Sequence, residues 1–159
     1  PLSAERPLVA GQRVDLGDRI VELLHLGRGH TAGDVVAVVS DADAVYAGDL
    51  VEESGTPGFG DDSYPLEWAE TLDLLAGLLG PASVVVPGHG LPVDKDYVVE
   101  QRGSIAAVAE GIRNLAGRGV PVEEMGREPH WPYPAEDLQH AFRRGLAQLP
   151  PGERSLPLL

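Results

Sequence analysis

The sequence contains no cysteine, which excludes a disulfide framework, thiolate metal ligands and a cysteine nucleophile. Basic residues are scarce: 12 Lys and Arg stand against 25 Asp and Glu, a net charge of -13. A surface of that sign repels phosphate backbones and anionic headgroups. It argues against nucleic acid and membrane as partners and leaves a small-molecule substrate or another protein. No run approaches the ~20 apolar residues of a membrane span, and no basic-then-apolar leader opens the chain. A soluble, cytoplasmic protein is therefore expected, although a chain that starts at Pro1 rather than Met does not assign a compartment by its N-terminus. Internal repeats and low-complexity tracts are lacking too. With 159 residues and 43% hydrophobic content, the chain is long enough for one domain with its own core.

What is present is a strand-rich first half and a helical second half. Arg19 to Leu26 follows the turn Asp15-Leu16-Gly17-Asp18 and has the apolar density of a strand. Val35 to Ser40 is a β-branched run, and Asp41-Ala42-Asp43 is a tight turn into Ala44 to Ala47, so the two runs are expected to pair as a hairpin. Both are apolar at nearly every position rather than alternating, which predicts a sheet covered on both faces. Val51 to Tyr64, dense in Gly, Pro, Ser and Asp, reads as a loop long enough to be functional. Trp68, Leu72, Leu75 and Leu79 place an amphipathic helix over residues 65–79, stopped by Gly80-Pro81. Ser83 to Pro87 is another short buried strand. Asp94 is an N-cap for a long helix whose Val98, Ile105, Val108, Ile112 and Leu115 share a face, with Gly117 near its end. A short turn at 121–125 and a last helix over 135–149 follow, and the Pro-rich ends are expected to be loose. The strand-then-helix order is that of an α/β layer.

Three stretches carry chemistry: Gly29-His30-Thr31-Ala32-Gly33-Asp34, Ala47-Gly48-Asp49-Leu50 and Val86-Pro87-Gly88-His89-Gly90. Each sets a metal-competent side chain, His30, Asp49 or His89, in a Gly-rich turn beside a strand. Neutral imidazole and carboxylate suit Zn, Fe or Mn, and a carboxylate can bridge two ions, which makes Asp49 the natural bridge. Two ions about 3.5 to 4 Å apart acidify a shared water and polarise a carbonyl or phosphoryl oxygen, so hydrolysis is the implied reaction. The flanking glycines Gly29, Gly33, Gly88 and Gly90 are read as positions where a side chain would crowd the ligand or substrate.

Taken in this order, with a hairpin between the first two stretches and a helix before S-V-V-V-P-G-H-G, the residues from about Ile20 to Ile112 resemble the metallo-β-lactamase superfamily of metal-dependent hydrolases. The resemblance implies His30 on the first metal, Asp49 as the bridging carboxylate and His89 on the second metal, with Thr31 and Asp34 in support. It also implies two divalent ions, most often Zn, and a metal-bridging hydroxide acting on a thioester, lactone or phosphodiester. The family's His-x-His-x-Asp-His motif is missing, since the five His stand at 25, 30, 89, 130 and 140. The expected fold class is therefore α/β: the second half of a four-layer αββα sandwich, one mixed sheet with covering helices. Residues 1–159 would form a single, partial domain with about half of the metal ligands. Such a fragment is expected to be inactive alone and to need its missing N-terminal half. The alternative is a non-catalytic half-domain that self-associates through its exposed sheet face.

Plainer readings apply elsewhere. His25 is expected to be a packed or hydrogen-bonded strand residue, and His140 part of a polar helix face. His130, in Pro129-His130-Trp131-Pro132-Tyr133, lies in a cluster read as packing over a helix end. Asp61 and Asp62 are taken as solvated loop charges. Phe59 and Tyr64 are the candidates for touching substrate, because their loop leaves from Asp49.

Overall fold

Strands fill the first half as the β-branched runs predict. The computed structural model describes residues 11–128 and 130–150, so the Pro-rich ends fall outside the described residues. The elements run β1 (Gln12–Asp15), β2 (Ile20–Leu24), β3 (Val36–Val39), β4 (Ala44–Glu52), α1 (Trp68–Leu78), β5 (Val84–His89), α2 (Lys95–Gly117), α3 (Val122–Met125) and α4 (Gln139–Gln148). The strands lie in the sheet in sequence order. β1 to β4 are antiparallel neighbours. β5 adds parallel to β4, because the chain returns through the crossover helix α1. The sheet is thus mixed, as expected for this class.

β1 has no counterpart in the sequence reading. Gln12, Arg13 and Asp15 are exposed, so no apolar pattern marks this edge strand, which is held to β2 by its backbone ladder and the exposed Arg13–Glu22 ion pair. The expected tight turn at 41–43 is a short 3-10 helix, Ser40–Ala42, closed by Asp43 in the left-handed region at φ 47°. β4 is longer than its apolar run and continues through Glu52, so Val51 and Glu52 belong to the strand and not to the loop.

Residues opposite one another in the ladders share a face. Val38, Val45 and Val85 lie in one row, and Leu23, Ala37, Tyr46 and Val86 in another on the opposite side. The first face meets the helices, where Trp68, Leu72, Leu75, Val98, Ile105, Val108 and Ile112 are all inaccessible to solvent. Burying a side chain of that kind contributes about 1.5–3 kcal/mol. The second face is apolar as well, yet Tyr46 is 53% and Val84 44% exposed, and buried Val39 on that side is not part of the helix-backed core cluster. The expectation of cover on both faces is therefore corrected: among the described residues the helices close one face only. An all-apolar strand pattern reports that both faces avoid water without saying what covers the second.

α1 and α4 begin later than their apolar periodicity implies, whereas α2 begins where expected. Trp68 opens α1 after a turn in which the Tyr64 carbonyl accepts from both the Glu67 and Trp68 N–H groups, each at 3.0 Å. Asp94 caps α2, its Oδ1 accepting from the Tyr97 N–H at 3.0 Å. Gly119, at φ 72°, takes the left-handed position after α2, in place of Gly117, which is still helical. Residues 135–138 are turns that lead into α4. No helix among the described residues is long and apolar enough to cross a membrane.

Candidate metal centre

His30 follows β2 in a turn whose shape depends on two contacts. Gly29 lies flat against Trp68; a Cβ there would come within 2.7 Å of Leu50 Cδ2 and 2.8 Å of Trp68 Cδ1. The Asp34 carboxylate accepts from the Thr31 N–H at 3.0 Å through each oxygen and from the Thr31 hydroxyl at 2.7 Å. Thr31 and Asp34 thus close the turn that presents His30. Its Nδ1 lies 2.8 Å from the Gly58 carbonyl oxygen. A carbonyl can only accept, so Nδ1 carries the hydrogen, and in the neutral ring Nε2 is the nitrogen with the lone pair. Nε2 sits 3.5 Å from Asp49 Oδ2.

Asp49 is displaced from a regular ladder position. The β4–β5 register shifts between Tyr46 and Gly48 and again between Gly48 and Glu52, and Gly48 stands at φ 57°. Such an irregularity re-aims the side chains around it. Asp49 is therefore a residue of the strand rather than of a turn after it. His89 is the last residue of β5, and its Nε2 lies 3.5 Å from Asp49 Oδ1. Between them Gly88 has no room for a side chain, because its Cβ would collide with Asp49 Oδ1. Gly33, by contrast, faces open space, so the crowding argument does not extend to it.

The side chains of His30, Asp49 and His89 are 28%, 43% and 67% exposed. They open to solvent at the carboxyl ends of the two parallel strands, the usual place for a ligand in an α/β sheet. Each imidazole faces a different oxygen of one carboxylate, and the three do not converge on a single point. Consistent with this, no group of three or more His, Cys, Asp and Glu among the described residues is arranged to hold one ion. Each imidazole thus has one carboxylate oxygen beside it, short of the ~4 ligands of a Zn site.

Gln101 braces this arrangement and was not singled out in the sequence. It is 4% exposed; its Oε1 accepts from the Glu52 N–H and its Nε2 donates to the Leu50 carbonyl, both at 2.9 Å. Trp68 Nε1 donates to the same carbonyl at 3.2 Å. The backbone just after Asp49 is thus held from α1 and α2. A signal existed, since Gln101 falls at helical spacing between Val98 and Ile105 on the apolar face of α2.

The other candidates are distributed around the centre. Phe59 is buried edge-on to Trp68, ring centroids 5.1 Å apart. Tyr64 is half-buried, with the Arg28 guanidinium 4.5 Å and that of Arg144 5.4 Å from its ring centre. His25 is exposed, its Nδ1 2.7 Å from the Asp34 carbonyl oxygen. His140 and Asp61 meet at 2.7 Å, so neither is simply solvated. Trp131 packs on Phe142 and donates to the Met125 carbonyl at 3.0 Å, which is the packing role read for its cluster. Tyr133 beside it has its phenol pushed up to about 12 by burial.

Comparison with known proteins gives partial matches. No family model matches the chain. It is 30% identical over 85 residues to the type 2 metallo-β-lactamase of Bacillus cereus, and equally so to that of Bacillus sp. strain 170, matching 52% of this chain and 33% of each relative. Among solved structures, a metallo-β-lactamase from Pontibacter korlensis superposes with a TM-score of 0.56 at 24% identity, over 62% of this chain and 46% of that one. The crystal structure of VMB-1 also gives 0.56, at 20% identity, over 64% and 47%. The chain has the metallo-β-lactamase fold. It spans about a third of the length of the curated relatives that it matches. The partial sequence similarity and the shared fold are both to metallo-β-lactamases.

Proposed function

We propose that this chain is the C-terminal portion of a dinuclear metal-dependent hydrolase, with His30 and His89 on different ions and Asp49 between them. The observation that carries the reading is the Asp49 carboxylate, which turns one oxygen toward each imidazole at 3.5 Å. The Nδ1–H of His30, held by Gly58, leaves Nε2 as the donor toward a metal, the usual second contact of a ligating histidine. Divalent ions held there would supply an acidified water and polarise a carbonyl or phosphoryl oxygen. Zn is the first choice, and Fe or Mn suit the same donors. The resemblance implies that Asp49 takes the place that a Cys has in the β-lactamases of the Cys-bearing class, which favours a thioester, lactone or phosphodiester over a β-lactam as substrate. Since each ion draws only two donors from this chain, the remaining ligands come from a half that carries a His-x-His-x-Asp-His motif, and the chain alone is inactive.

The test is metal content and hydrolysis, measured on this chain and on a version joined to a half that carries that motif. The joined protein is expected to hold two metal equivalents and cleave at least one of the three ester classes. Less than one equivalent, with no cleavage, would sink the reading.

A second reading has its own support in the apolar outer sheet face, where Tyr46 and Val84 stay exposed. Contiguous apolar surface of this kind marks an interaction site. On that reading the chain is a non-catalytic half-domain that self-associates through this face. A stable monomer in sedimentation would exclude it.

A further inference from the structure

We propose that the turn entering α4 is a positioning element for His30, acting through the loop that follows β4; the inference rests on reading His30 as a metal ligand. The orientation of the His30 ring depends on the Gly58 carbonyl, 2.8 Å from its Nδ1. Gly58 itself is exposed, in a stretch with no helix or strand that also holds Gly55 and Gly60. Its internal hydrogen bonds are short-range turns: Phe59 N–H to the Pro57 carbonyl at 2.9 Å, Gly60 N–H to that of Gly58 at 3.0 Å, and Ser63 N–H to that of Gly60 at 3.2 Å. Bonds of so little reach do not fix a loop relative to the body of the protein.

The ends of the stretch are tied by the Glu53 N–H to the His89 carbonyl at 3.1 Å and the Tyr64 N–H to the Gly29 carbonyl at 2.8 Å; nearer Gly58, two side-chain contacts hold it, one on either side. The Thr56 hydroxyl donates to Asp137 Oδ2 at 2.7 Å, and His140 Nδ1 meets Asp61 Oδ1 at 2.7 Å. Both end on residues 137–140, the last turn before α4 and its first residues. Farther along, the Ser63 carbonyl accepts from Arg144 Nε at 3.0 Å and Gln148 Nε2 at 3.1 Å, both on α4. Buried Phe59 anchors its own side chain against Trp68, and the Gly58–Phe59 peptide is turned by the local bonds of its own N–H and carbonyl, but neither ties that turn to α4. Beside that peptide lies an open cleft of about 540 Å³, lined by His30, Thr56, Phe59, Asp137 and His140. With a cleft instead of packed side chains at its back, the carbonyl is held by the clamps at positions 56 and 61. Thr56, Asp61, Asp137 and His140 are thus positioning residues, which keep His30 in the Nδ1–H form with Nε2 turned to Asp49.

The ring tautomer is readable without any metal, from two-bond proton–nitrogen correlations of the full chain labelled with ¹⁵N-histidine, at an alkaline pH where imidazoles are neutral. The native chain is expected to show His30 as Nδ1–H. Thr56→Val combined with His140→Ala is expected to shift it roughly fivefold toward Nε2–H, the response to losing two exposed contacts of ordinary strength. Thr56→Ser combined with His140→Gln, which keeps both donors, is expected to restore the native form. Should the first pair fail to fold, Thr56→Val alone is expected to give a smaller shift in the same direction. A native Nε2–H ring, an unmoved tautomer in the disruptive variant, or an equal shift in the conservative one would overturn the proposal. Zinc titration of the joined protein reports separately on the metal reading, so a failure there with the tautomer pattern intact counts against that reading alone.

Discussion

Replacing Trp68 and Gln101, singly and together, measures how the strand that carries Asp49 is held. The Leu50 carbonyl accepts from Trp68 Nε1 at 3.2 Å and from Gln101 Nε2 at 2.9 Å, and both donor residues are buried. Trp68→Phe removes one donor while the other remains, so its cost is the space left in the core, about 1–2 kcal/mol. Gln101→Leu conserves volume and leaves the carbonyl its indole partner, but it orphans the Glu52 N–H, which Gln101 Oε1 accepts at 2.9 Å. An unsatisfied buried donor costs about 1–3 kcal/mol. Only the double variant strips the carbonyl of both side-chain donors, so the two losses exceed their sum by about 1–2 kcal/mol. Urea unfolding of the chain, with the slope checked for constancy across the four proteins, supplies the cycle. Additivity to within about 0.5 kcal/mol would refute the shared-acceptor reasoning. The brace at Leu50 would then have to be ascribed to packing alone.

Three further outcomes follow from particular contacts. Gly88→Ala puts a Cβ into Asp49 Oδ1; in a protein joined to a half that carries a His-x-His-x-Asp-His motif, zinc affinity is expected to fall about 10- to 100-fold, the usual effect of disturbing a ligand's support, and unchanged affinity in a zinc titration would show the carboxylate free to move aside. Asp94→Ala removes the cap of α2 and is expected to cost about 1 kcal/mol, read as a lower urea midpoint. Burial raises the Tyr133 phenol from 10.0 to about 12, so the folded state holds that proton more tightly than the unfolded chain. Its contribution is complete below pH 10 and is lost as pH rises toward 12. Tyr133→Phe is therefore expected to flatten the fall in urea midpoint across that window, and an unchanged slope would assign the fall to other groups.

Local pattern was sufficient wherever a segment's role follows from its own residues. The four-residue recurrence from Trp68 to Leu79 and the stripe from Val98 to Leu115 read directly as helix faces, and all of these positions are buried. Asp94 announced its helix by the capping bond that only a short polar side chain makes. The runs at Val35 and Ala44 announced the hairpin, and the order of the three Gly-flanked stretches announced the fold. The sequence did not disclose contacts closed across long separations. Edge strand β1 has no apolar signature, because its order comes from pairing with β2. β4 extends past its apolar run to Glu52 because β5 and Gln101 satisfy backbone groups that a sequence window would leave to solvent. Helical spacing made Gln101 visible on an apolar face, but only the packing of α2 on β4 gave it two backbone partners. In the same way, the sequence named His30, Asp49 and His89 as donors by residue type, whereas the fold brought one oxygen of Asp49 toward each imidazole. It also supplied the carbonyl of Gly58, 28 residues from His30, that selects the nitrogen left facing the carboxylate. Residue chemistry is inherent in the chain, but direction and tautomer are set by neighbours that only folding brings within hydrogen-bond reach.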